Sequence, residues 1–92
     1  MTQVSGAPQE LVLKVRVAGS EDPDYIEVEM PRDTLTLEFL IVVAAEELEV
    51  DTSQVERVRK MPNTRLRRDK EVGRLPDYQQ LELVLKGSDS MQ

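Results

Sequence analysis

Hydrophobic and polar residues alternate along "ELVLKVRV", with Leu11, Leu13, Val15 and Val17 on one side and Val12, Lys14 and Arg16 on the other. That period of two predicts a half-buried strand. "AGSEDPD" gathers turn-forming residues, after which "YIEVEM" sets Ile26, Val28 and Met30 against Tyr25, Glu27 and Glu29. The two segments predict an antiparallel hairpin in which Lys14 and Arg16 lie opposite Glu27 and Glu29 on its outer face.

The period changes in "PRDTLTLEFLIVVAAEELEV". Pro31 ends the strand, Asp33, Thr34 or Thr36 caps a helix, and Leu37, Leu40, Ala44 and Leu48 recur at the spacing of one helical stripe. Phe39, Ile41, Val42 and Val43 carry apolar surface beyond that stripe, where a helix lying on a sheet should be polar. They form a candidate interface for dimerisation or partner binding, unless Met1 to Gln9 or the "LPDY" loop covers them.

"VERVRKM" predicts a third strand with Val58 inward and Arg57 and Arg59 outward. "PNT" turns the chain, "RLRR" is a very short strand anchored by Leu66, and "DKEVGRLPDY" reads as a loop pinned by Val72 and Leu75. "QLELVLKG" is a closing strand with Leu81, Leu83 and Leu85 inward and Glu82, Val84 and Lys86 outward. Residues 1–9 and 88–92 read as flexible tails around a domain at 10–87. The element order is α+β: a β-grasp in which a mixed sheet of four to five strands packs against one helix, its first and last strands parallel at the centre.

Composition narrows the chemistry. The chain has no cysteine and no histidine, so thiol nucleophiles, disulfides, the usual zinc ligands and imidazole acid/base catalysis are all excluded. Its glycines are scattered and its carboxylates are not set across an apolar cleft, so no phosphate-cradling loop and no acid/base pair stands out. A non-catalytic protein without cofactor or metal is expected. No apolar run approaches the ~20 residues of a membrane span, and an intracellular, cytoplasmic or nuclear, monomer is the expectation.

Charge is unevenly spread. Residues 57–74 hold eight basic and two acidic side chains, whereas the remainder hold four basic and sixteen acidic ones. The basic island is either a solvated strand face or a docking surface, for an acidic protein or for an acidic segment of a longer chain that contains this domain. Arg57, Arg59, Lys60, Arg67 and Arg68, with Val84 as an apolar centre, are its candidate partner-binding residues. Nucleic acid and anionic lipid fit less well, because no aromatics are interleaved for stacking and the acidic remainder repels phosphate.

"DTLTLEF", "LPDYQQLELVLK" and the element order from Leu11 to Lys86 resemble ubiquitin. "RKMPNTRLRRDKEVGRLPDYQQLELVL" resembles, more specifically, the C-terminal region of the ankyrin repeat domain-containing protein 40 family and its short C-terminal-like relative. The resemblance implies a ubiquitin-like module. Ser88 follows Gly87, so the diglycine needed for conjugation is missing, and a modifier role is not expected. Val84 matches one member of ubiquitin's apolar receptor patch, but Arg59 falls where its central isoleucine would be. In UBX domains, also ubiquitin-like, a Phe-Pro-Arg loop after the third strand engages an AAA ATPase. Met61 and Pro62 resemble the first two positions, while Asn63 replaces the arginine and Arg65 comes two residues late.

Overall fold

The computed structural model describes residues 10–87; the expected tails at 1–9 and 88–92 lie outside them. Five strands form one sheet: β1 (Glu10–Val17), β2 (Ile26–Pro31), β3 (Val55–Lys60), β4 (Thr64–Leu66) and β5 (Gln79–Leu85). Their spatial order is β2-β1-β5-β3-β4, with β1 and β5 parallel and the other pairs antiparallel. The main helix, α1 (Leu37–Glu47), packs on one face of this sheet. The architecture is the expected mixed-sheet β-grasp, with β5 as the middle strand.

Alternation fixes which side chains enter the core. Leu11, Leu13 and Val15 of β1, Val28 and Met30 of β2, Val58 of β3, Leu66 of β4, and Leu81 and Leu83 of β5 are all buried. Leu40, Ala44 and Ala45 meet them from α1, with Leu37 and Leu48 half-buried at the ends of the helix stripe. At roughly 1.5–3 kcal/mol for each large side chain, this burial is the main force holding helix to sheet.

Thr36 is the helix cap: its Oγ1 accepts the Phe39 N–H at 3.1 Å. A carboxylate reaches the same helix end, because Asp69 Oδ1 accepts the Leu37 N–H at 2.8 Å. Two of the amides left without helical partners are thereby satisfied.

Asp69 belongs to the clearest departure from expectation. The segment read as a loop contains a short helix, α2 (Asp69–Gly73). Five residues are too few to show a helical period, so alternation could not reveal it. Its anchors are the expected ones, Val72 and Leu75, both buried. Beyond it, Asp77 Oδ1 accepts the Val12 N–H at 3.2 Å and pairs with Arg32 at 3.0 Å, while the Tyr78 N–H donates to the Val12 carbonyl at 2.6 Å. The "LPDY" loop is thus tied to β1 by hydrogen bonds, not to the helix back.

The hairpin pairs as predicted, but only one of its two expected charge pairs forms. Lys14 lies opposite Glu27, yet Glu29 lies opposite Val12, and Arg16 is beyond the paired register. Arg16 turns instead toward the middle of the sheet.

Candidate functional site

The outer face of the sheet is built around Glu82, a charged residue on the middle strand with only 4% of its surface exposed. Register places Arg16 of β1 on one side of it and Arg59 of β3 on the other. Arg59 brings Nε and Nη2 to Glu82 Oε1 at 3.1 and 2.8 Å. Arg16 brings Nε and Nη2 to Oε2, both at 2.9 Å. Each carboxylate oxygen is therefore gripped by two nitrogens of one guanidinium, so that both lone-pair regions of the carboxylate meet charge-assisted donors.

Arg16 is itself positioned from behind. Its Nη1 donates to the Pro23 carbonyl at 2.7 Å, and its guanidinium carbon lies 4.3 Å from the centre of the Tyr25 ring. Burial alone pushes the Glu82 carboxyl up; the hydrogen bonds from Arg59 and Arg16, together with their charges, outweigh it and leave the group below the usual carboxylate range. Removing one arginine would leave a buried charge half compensated, which is why this cluster belongs to the fold's stability.

That arrangement redistributes the expected basic face. Arg59 is occupied by Glu82, and Arg57 stands 3.4 Å from Glu56 Oε2. Val84, opposite Arg57 in the register, is 3% exposed and offers no accessible apolar centre. Lys60 is two residues from Val58 and opposite Thr64, so alternation puts it on the side of the sheet that Val58 and Leu66 occupy, away from Arg57 and Arg59. Arg67 and Arg68 follow β4 and are exposed; their backbone N–H groups donate to Glu71 Oε1 at 2.7 and 3.2 Å. The Glu71 carboxyl is lowered first by the Arg67 amide and further by that of Arg68 and by both arginines' charges, against a raising contribution from burial.

The island is thus three clusters rather than one face. Arg57 and Arg59 lie on the outer sheet, Arg67 and Arg68 on the exposed segment leaving β4, and Lys60 beside a cavity that Arg65 and Arg74 also line. Lys60, Arg65, Arg67, Arg68, Lys70 and Arg74 form no salt bridge with the described residues. Arg65 and Arg74 were not among the expected binding residues. No local pattern joins them to Lys60: Arg65 stands opposite Arg59 in the register, and Arg74 follows α2.

The turn residues Met61 and Pro62, joined by a cis peptide bond, sit apart from Arg65, which is in β4 opposite Arg59. Met61 is held in the sheet by its N–H on the Gln80 carbonyl at 3.0 Å. The three residues therefore do not share one loop.

Of the helix-back residues, Phe39, Ile41 and Val43 are half-buried and packed against the core, whereas Val42 is 41% exposed. Ile41 and Val42 line a surface groove of about 470 Å³ with Leu37 and Val55. Among the described residues there is no cluster of metal-ligating side chains, and no helix is long and apolar enough to cross a membrane.

Comparison with known proteins agrees with this architecture. The profile of the ANKRD40 ubiquitin-like domain matches residues 15–86. Ankyrin repeat domain-containing protein 40 of Mus musculus is 52% identical over 84 residues, covering 89% of this chain and 23% of that protein. Its Homo sapiens counterpart is 51% identical over the same length and shares. The Homo sapiens ANKRD40 C-terminal-like protein is 41% identical over 76 residues, covering 83% of this chain and 67% of that protein. The chain spans about a quarter of the length of the two ankyrin repeat relatives. With a β-grasp sheet, a capped helix and a family match that runs from the end of β1 through β5, this chain belongs to the ANKRD40 ubiquitin-like domain family.

Proposed function

We propose that the chain is a non-catalytic protein-interaction module whose partner presents an acidic surface to the exposed cations at the β3–β4 end of the sheet. The observation that carries this reading is the separation of charge. Six cations between Lys60 and Arg74 form no salt bridge with the described residues, in a chain whose net charge is -6. Surplus positive charge not taken up in salt bridges orients an acidic partner and speeds its encounter. Arg67 and Arg68 are the residues most directly presented, with Arg57 adjoining on the outer sheet. Conjugation to other proteins does not fit this reading, since Ser88 follows Gly87 where a second glycine would be needed.

Affinity capture from cell lysate, using the native chain beside Arg67→Glu/Arg68→Glu, tests the proposal. Loss of acidic proteins from the variant's eluate is the expected result, and identical partner sets overturn it. Arg59 is unsuitable for this purpose because its substitution would disturb Glu82 and confuse binding with folding.

A second reading, self-association through the helix back, is favoured by the exposure of Val42 and the groove beside it. Sedimentation equilibrium decides it: a mass that stays monomeric at high concentration removes it.

A further inference from the structure

Lys60 at the end of β3, Arg65 in β4 and Arg74, the residue after α2, all line one cavity of about 120 Å³. Thr64, Leu66 and Glu71 complete the wall. Three cations against one carboxylate leave a double positive charge. The Oε1 of that carboxylate accepts from the Arg67 and Arg68 backbone amides, and among the described residues Glu71 forms no salt bridge with the three cations.

We infer that this cavity is a phosphate pocket, taking the phosphoserine or phosphothreonine of an extended peptide laid along the open edge of β4. The inference rests on the acidic-partner reading above and specifies a ligand for it. A phosphoryl group carries about -1.5 to -2 charge near pH 7 and matches the pocket's surplus, whereas a glutamate or aspartate leaves part of it uncompensated. Arginine forks and a lysine point charge are the usual recognition groups for such an anion.

The surroundings favour a peptide. Among the described residues β4 is the last strand in the sheet order, and its outer edge is not paired with another strand. Exposed edges of this kind accept an additional extended segment through main-chain bonds. A second cavity, of about 280 Å³, shares Arg65 and Leu66 with the first; Leu37, Ile41 and Val58 line it together with Glu56, Arg57 and Arg67. A peptide crossing between them would place its phosphate in one and an apolar side chain in the other. An anionic bilayer or a nucleic acid would present its charge to the whole surface, where the net charge of -6 opposes approach.

The test uses the whole 92-residue chain, ¹⁵N-labelled, titrated with a peptide library degenerate except for a central phosphoserine or phosphothreonine. Parallel arms use the same library unphosphorylated, the same library with glutamate at that position, and phosphatidylcholine vesicles containing a phosphoinositide. The expected result is movement of the Lys60, Thr64, Arg65 and Arg74 amides with the phosphorylated library alone. Binding should weaken by about tenfold or more in Lys60→Glu/Arg74→Glu, with β1 and β5 amides unmoved. If that variant does not fold, Lys60→Met/Arg74→Gln serves in its place.

Equal responses to the phosphorylated and unphosphorylated libraries overturn the inference, as do glutamate binding as tight as phosphate and shifts spread evenly to Lys14 and Lys86. A response to the vesicles without one to the peptides assigns the pocket to a membrane headgroup, which also overturns it. Loss of captured partners in Arg67→Glu/Arg68→Glu without any phosphopeptide binding leaves the acidic-partner reading standing and removes the pocket alone.

Discussion

Arg59 approaches Glu82 with two nitrogens on a single oxygen, at 3.1 and 2.8 Å, while the other oxygen belongs to Arg16. Three adjacent strands are thereby joined through side chains on the face opposite the core. Arg59→Ala leaves Glu82 buried with one partner, and a cost of about 1–3 kcal/mol is expected. Urea unfolding should show a lower midpoint at an unchanged slope. Arg59→Glu should cost more, because it adds a like charge next to the one left unpaired.

The same carboxylate makes stability depend on acid. Its pKa is lowered in the folded chain from the ordinary 4.5, so the folded state favours the ionised form more than the unfolded state does. A group of that sign contributes stability above its unfolded pKa and loses the contribution as pH falls through the folded value. The difference in urea midpoint between the native chain and Glu82→Gln should therefore be full at neutral pH and shrink as pH drops below about 4.5. A difference that stayed constant down to acid pH would remove Glu82 from this role.

Asp69 and Thr36 serve the same helix end from different elements, one from α2 and one from the preceding turn. Each alanine substitution should lower stability by about 0.5–2 kcal/mol. Because the two caps act on one helical turn, the double substitution is expected to depart from the sum of the singles, whereas Asp69→Ala with the distant Val84→Ala should add. A double-mutant cycle by urea unfolding measures both.

How far these features were legible in the sequence depends on the length over which each is specified. Leu11, Leu13 and Val15 declare their face by alternation alone, and Thr36 precedes a helical stripe that long-range packing does not alter. Glu82 follows the same alternation to the outer face, and the sequence therefore assigns it to water. Its burial comes from β1 and β3 lying on either side, a register that no local pattern contains. Lys60 was misplaced for a related reason: nearness to Arg57 and Arg59 in the chain suggested a shared face, whereas a strand sends Arg59 and Lys60 to opposite sides. α2 is not legible in the sequence because two buried residues, Val72 and Leu75, pin a loop and a single helical turn equally well.

Val84 and Val42 were both candidates for apolar contact with a partner, and the structure separates them: 3% of one is exposed and 41% of the other. Val84 stands on the middle strand opposite Arg57, where the aliphatic stems of long neighbouring side chains can shield it while their charges remain in water. Val84→Ala should accordingly cost about 1–2 kcal/mol through loss of buried carbon, with no direct effect on binding. Val42→Ala should change stability by less than about 0.5 kcal/mol, as at other exposed positions. If the helix back is an interface, that substitution weakens association without altering the urea midpoint. Unfolding and sedimentation of the two variants distinguish these roles, and a Val84→Ala chain as stable as the native one would return Val84 to the exposed face on which the sequence had placed it.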